Sequence, residues 1–290
     1  MADPRSDGSA GMVLPLCPAM FELAVEAPAL ARAVLERSAL LADVLLKVDV
    51  ADLEGPSLLP DWSRLTIACH LRYGASATMR MTKDTLRGLP TSFYPDGRSL
   101  QRPGTLVPRI GELPGDVLAS LAGESFWLDQ AWRDLSLSDW STAVVEPADN
   151  VDLGPTTLAF LALLRLTEVE VHGTDLDVGL PDWSEVFVAT ALPARLRWLE
   201  TRRSDHRDMD DTPRGSWLLR ASDGPAHLIT RDEAGVRAEP AAPSTKADAT
   251  IEGTSRDLLA LLLGRPPRHK LRTRGKVTVA ASFNRAFPGP

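Results

Sequence analysis

The apolar positions fall first into helical stripes. Between Phe21 and Val48, residues Leu30, Val34, Leu41, Val44 and Leu45 recur at helical spacing, which predicts an amphipathic helix starting after Pro28. The turn-rich stretch GPSLLPDWS follows. Ser63 is then placed to cap a second helix over about 64–86, with Ile67, Leu71 and Ala75 on one stripe and Arg64 and Thr78 at its polar margins. Residues 88–114 are dense in Pro, Gly and Ser and predict a long ordered loop, a feature often tied to function. A third helix is expected over 114–135. A fourth begins after Pro155 and runs to Asp175, carrying Leu158, Leu161, Leu164, Val169 and His172. A further helical segment covers 184–202, interrupted near Pro193.

The pattern then changes. The stretch SDHRDMDDTPRG (204–215) is charged and nearly free of apolar residues, as a domain boundary would be. Beyond it, short runs at 216–220, 226–231 and 236–240 are separated by DG and AG turns and read as strands. Residues 249–252 read as another strand and 254–263 as a helix capped by Thr254 or Ser255. Residues 271–280 would close the sheet. The predicted fold class is α+β: a helical bundle over 12–203, then a small α+β domain over 214–290, after a flexible N-terminal tail.

Composition narrows the function classes. At roughly 100–200 residues per domain, 290 residues fit two domains. Apolar residues at 44% and charged residues at 24% exclude disorder as the dominant state. With 32 Lys+Arg against 39 Asp+Glu the net charge is -7, which argues against a nucleic-acid partner. The basic run RPPRHKLRTRGK (265–276) reads as a solvated face. Two cysteines, Cys17 and Cys69, make neither a disulfide framework nor a thiolate zinc site. No apolar run is long enough to span a membrane, and the start lacks a secretory layout. The expected setting is cytoplasmic, with no membrane partner, as a monomer or a homodimer.

Of five histidines, only His70 and His172 fall on predicted bundle helices; His206, His227 and His269 are expected to be exposed. Glu168 precedes His172 by four residues, so both lie on one helix face. The pair either stabilises its helix by a few tenths of a kcal/mol or offers two ligands to a metal. In the second case a further ligand comes from another helix, and His70 is the other bundle histidine. Cys69 points about 100° away from His70 and reads as a small core residue. Trp62 reads as packing.

Two segments carry a family resemblance. LLPDWSRLTIACHL resembles the LPGW-x7-HL signature of the DinB-like superfamily, specifically of the mycothiol-dependent maleylpyruvate isomerase family, with Trp62 and His70 at matching spacing. TEVEVHGTDLDVGLP resembles its second signature, RE-x-x-VH-x-x-DL-x-x-G. TSRDLLALLLGR resembles the helix of the family's appended α+β (SCP2-like) domain. The resemblance implies a DinB-like four-helix bundle holding one divalent metal, usually zinc, on His70, Glu168 and His172. Three protein ligands leave a fourth position open. It further implies mycothiol as a small-molecule thiol cosubstrate, activated as a thiolate beside the cation and aimed at a small-molecule electrophile.

By residue match, Arg98 in FYPDGR and Arg265 in LLLGR are the expected catalytic arginines, suited to holding carboxylates of substrate or thiol. Arg98 and Asp175 are expected at the thiol. Asp175 and Asp177 are also placed to orient a ligand imidazole, with Asp175 alternatively capping its helix end. The chain departs from the family at Gly74, where Asn is frequent, and at Thr167, where Arg precedes the metal glutamate. These departures favour a thiol S-transferase, for instance in natural-product biosynthesis of the lincosamide type, over a cis–trans isomerase. A non-catalytic binding or regulatory protein and a metal-dependent hydrolase are the readings from other classes.

Overall fold

The computed structural model describes residues 18–201 and 213–289. The N-terminal region contains α1 (Pro18–Leu45), a 3-10 turn (Val50–Glu54), α2 (Arg64–Leu86), α3 (Arg98–Thr105), α4 (Pro114–Trp132), α5 (Leu137–Trp140), the two-residue strands β1 (Ala143–Val144) and β2 (Thr156–Thr157), α6 (Leu158–Asp175) and α7 (Glu185–Thr201). Helices α1, α2, α4 and α6 form the bundle: α1 packs on α6 and α4, and α2 on α4 and α6. Their shared interior includes Leu30, Leu41, Ile67, Leu71, Leu128 and Val169.

Most helix starts follow from local chemistry. The Ser63 hydroxyl accepts from the Thr66 N–H, and the Thr157 hydroxyl caps α6 in the same way, so orphan donors of the first turn are satisfied. Three expectations are corrected. Helix α1 starts well before Pro28, which sits inside it on an exposed position; burial of Leu23, Ala24 and Ala27 outweighs the backbone bond that proline removes. Pro193 does not interrupt α7. The stretch 88–114 is not all loop, because α3 occupies its centre.

The C-terminal region contains β3 (Gly215–Ala221), β4 (Ala226–Asp232), β5 (Gly235–Ala241), β6 (Ala249–Gly253), α8 (Ser255–Leu262), β7 (Arg272–Gly275), α9 (Val277–Ala281) and α10 (Phe283–Ala286). The sheet order is β5-β4-β3-β6-β7. All neighbours are antiparallel except β3 and β6. The 271–280 segment supplies one short strand and then turns helical. The fold is thus α+β, as expected. The boundary stretch lies largely outside the described residues, as do the tail, Cys17 and His206; the division into 12–203 and 214–290 stands as a proposal. The two regions touch: α7 packs on α8 and β5, and Arg256 of α8 pairs with Asp182.

Asp257 fixes the start of α8 and the segment after it. Its buried carboxylate accepts from the Thr254 hydroxyl, from the Arg268 and His269 N–H groups and from the His269 ring. Burial would raise its pKa, but these donors hold it below its ordinary 3.8. A depressed carboxylate contributes stability above its unfolded pKa and loses it as pH falls through the folded value. Chemical denaturation between pH 5 and 2 should therefore show a steeper acid loss for the wild type than for Asp257→Asn; parallel curves would contradict this.

Candidate metal centre

The loop ahead of α2 is pinned to the end of α6. The Leu58 N–H donates to the Asp175 carbonyl at 2.8 Å, and Arg64 Nε donates to the Leu176 carbonyl at 2.9 Å. Within the loop, the Ser57 hydroxyl holds the Trp62 carbonyl at 2.8 Å. This tie brings the first histidine helix against the second.

His70 of α2 meets Glu168 and His172 of α6. One ligand atom from each of the three lies within 4.8 Å of the others. His70 Nε2 is 2.6 Å from Glu168 Oε2, and His172 Nε2 is 3.7 Å from the same oxygen. The donor set is two imidazoles and one carboxylate, a composition suited to zinc with a fourth position open. His172 Nδ1 bonds Asp175 Oδ2 at 3.0 Å, which fixes the tautomer leaving the Nε2 lone pair free for a cation. These residues fit a divalent metal. Burial alone would raise the Glu168 pKa, but the imidazoles of His70 and His172 and the Arg165 guanidinium overcome it and hold the carboxyl well below the usual range.

Trp62 belongs to this site as well as to the packing expected of it. Its indole stacks on His172 (6.0 Å between centroids) and meets His70 edge-on at 5.5 Å. The three residues open onto a cavity of about 460 Å³ whose wall also carries Trp62, Tyr94 and Arg98, Arg102, Arg165 and Arg265.

Arg98 starts α3, is largely exposed, pairs with Asp152 at 3.3 Å and covers the Tyr94 ring. Arg265 reaches in from the C-terminal region. Gly264 at φ 66° makes the left-handed turn that ends α8 and redirects the chain. Arg265 then clamps Asp175 through Nε at 2.9 Å and Nη2 at 2.8 Å. Asp175 itself does not line the cavity; it stands behind His172, between that imidazole and Arg265, which corrects its expected place at the thiol. Asp177 is exposed and adopts φ 56°, turned to solvent rather than orienting a ligand.

Cys69 is buried, and burial pushes its thiol up to about 11, so it is an inert core residue as read. His269 is exposed but tied to Asp257; His227 is half-buried, with its pKa lowered by desolvation, not exposed. Sequence reasoning missed Arg165 and Arg102. The available signal for Arg165 was a single cation in the apolar run FLALLRL.

With His172 as a zinc ligand, the hydrogen bond to Asp175 that holds its ring means that Asp175→Asn should weaken zinc binding about 10- to 100-fold. Competition against a chelator of known affinity would measure it, and an unchanged affinity would remove the orienting role.

Residues 34–177 match the family described as the mycothiol maleylpyruvate isomerase N-terminal domain. No curated protein matches the chain. Two solved structures share the fold, one described as the mycothiol-dependent maleylpyruvate isomerase and the other as a histidine-to-alanine mutant of it. Both are 20% identical and cover 88% of this chain and 94% of theirs, at TM-scores of 0.61 and 0.60.

Proposed function

We propose, from the premise that residues 34–177 belong to the mycothiol maleylpyruvate isomerase N-terminal domain family, that this protein is a divalent-metal, mycothiol-using isomerase of small conjugated electrophiles. The carrying observation is that His70, Glu168 and His172 converge at the wall of a cavity rich in arginine. His70, Glu168 and His172 would hold the cation, zinc by the chemistry of the donors. When bound, it supplies stabilisation of a thiolate at neutral pH.

The rest falls to the protein's own groups. Asp175 holds the His172 ring. Trp62 covers both imidazoles and limits water. In the reaction, the thiolate sulfur adds to the carbon β to a carbonyl, and the electron pair moves to the carbonyl oxygen. Rotation occurs about the bond that is now single. The charge then returns, the carbon–sulfur bond breaks and the thiolate leaves unchanged. Arg98 at the mouth is placed to meet the substrate's negative charge, and Arg265, though its nitrogens are engaged by Asp175 and the Leu263 carbonyl, adds its positive charge to the same cavity wall. A cytoplasmic setting, where a free thiol cosubstrate stays reduced, belongs to the same proposal.

Isomerisation now stands ahead of S-transfer, reversing the order drawn from the sequence. The family match favours it, and Gly74, one of the two departures that favoured transfer, has a packing reason. A Cβ there would come within 3.0 Å of Arg165 Nη1. Nothing observed supports a lincosamide-type pathway.

The test is turnover of maleylpyruvate by zinc-loaded protein with mycothiol, following both substrate and thiol. Isomerisation returns all the thiol. Thiol consumed into a stable product would establish transfer instead, turnover without thiol would establish hydrolysis, and no turnover would favour a binding protein.

A further inference from the structure

Arg165 of α6 is 2% exposed. Its Nη1 donates to the Leu71 carbonyl at 2.9 Å. Among the described residues its buried Nε and Nη2 have no hydrogen-bond partner, and Arg165 makes no ion pair. Burial lowers its pKa to about 10, with Glu168 opposing, so it is cationic at neutral pH. An unanswered buried charge costs several kcal/mol. Its neighbours on the same wall, Leu161 and Leu164, show what a purely structural position would carry.

The cavity beside it is cationic. Four arginines line it against two carboxylates, Asp152 and Glu168. Arg98 is answered by Asp152 and Arg265 by Asp175; Glu168 faces the imidazoles. Arg102 lies over the Trp62 ring, and Arg165 is the buried one of these two cations left without an ion pair among the described residues, with only the longer-range charge of Glu168 opposing it. It also borders a second cavity of about 280 Å³, whose walls are mostly aliphatic. An anion is better held on the metal side, where the other arginines are.

We propose that Arg165 is a specificity-determining residue that receives a carboxylate of a small anionic substrate at the inner end of the metal cavity, with Gly74 leaving the room its guanidinium needs. This rests on reading the cavity as the electrophile's site, and not on which reaction follows.

The probe is maleate, titrated by calorimetry into protein carrying one added equivalent of zinc, with the neutral diamide of maleic acid as control. Arg165→Met should weaken maleate binding about 10- to 100-fold and leave the diamide unaffected. Zinc content should stay at one equivalent. The Tm of the variant without maleate should hold or rise, because an uncompensated charge has gone; a structural arginine would lower it. Gly74→Ala, which crowds the guanidinium while keeping it, should weaken maleate several-fold. Equal maleate affinity in wild type and Arg165→Met, or no maleate binding to the wild type, would overturn the proposal. Thiol-dependent turnover is scored separately, so maleate held through Arg165 without mycothiol chemistry would sink the isomerase reading alone.

Discussion

Glu168→Ala is expected to strip the protein of its cation and to cut kcat/KM by about 10^3-fold or more, equivalent to about 4 kcal/mol of lost transition-state stabilisation. The reason is the position of its carboxylate between the two imidazoles, 2.6 Å from one and 3.7 Å from the other. It is the single anionic ligand in the set. Two neutral imidazoles remain in the variant, and they neutralise none of the cation's charge. Elemental mass spectrometry of wild type and variant measures the first effect and steady-state kinetics the second. Retention of about one equivalent of metal by the variant would remove Glu168 from the ligand set.

Glu170→Ala, only two residues away, should leave the metal alone and cost the fold. Two helical residues point about 200° apart, and Glu170 faces α1 instead of the cavity. It is fully buried and pairs with Arg37 at 2.9 Å. Its other oxygen accepts from the Ser184 N–H at 3.3 Å. Arg37 in turn donates to the carbonyls of Pro181 and Asp182. Removing one partner strands the other charge in the interior, which costs about 3–5 kcal/mol. For a region of this size that is a fall of roughly 10 °C in Tm. The double variant Arg37→Met, Glu170→Met should recover most of the loss, since neither charge is then left alone. A single-variant cost below about 1 kcal/mol would show that the pair is hydrated and not structural.

The sequence exposed what depends on short-range pattern. The Ser63 cap, the helix over 64–86, the helix ending at Asp175 and the four C-terminal strands follow from hydroxyl placement, 3.6-residue spacing and turn residues, all local. The clustering of His70, Glu168 and His172 was legible for a different reason: Glu168 and His172 share a helix face by arithmetic, and one further bundle histidine was available. What escaped was set by tertiary contact. Pro28 and Pro193 looked like breaks because their cost is local while the packing that offsets it is not. Trp62 looked like core because no spacing rule tells a tryptophan stacked on imidazoles from one packed on leucines. Asp175 was correctly tied to an imidazole, but its second partner lies 90 residues away on Arg265. Arg165 was silent because hydrogen-bond partners for its Nε and Nη2 could come only from groups brought near by folding, and among the described residues none is supplied.

The clasp between Asp175 and Arg265 makes the two halves of the chain thermodynamically answerable to each other. One carboxylate serves both the imidazole and the guanidinium, so seating the C-terminal half would stiffen the His172 ring that is proposed to hold a cation. Coupling of this kind is reciprocal: whatever affinity docking lends the cation, the cation lends to docking. A metal-starved molecule would part its halves more readily, and a molecule held open would surrender its metal sooner. Loading and closure are then two readings of one equilibrium.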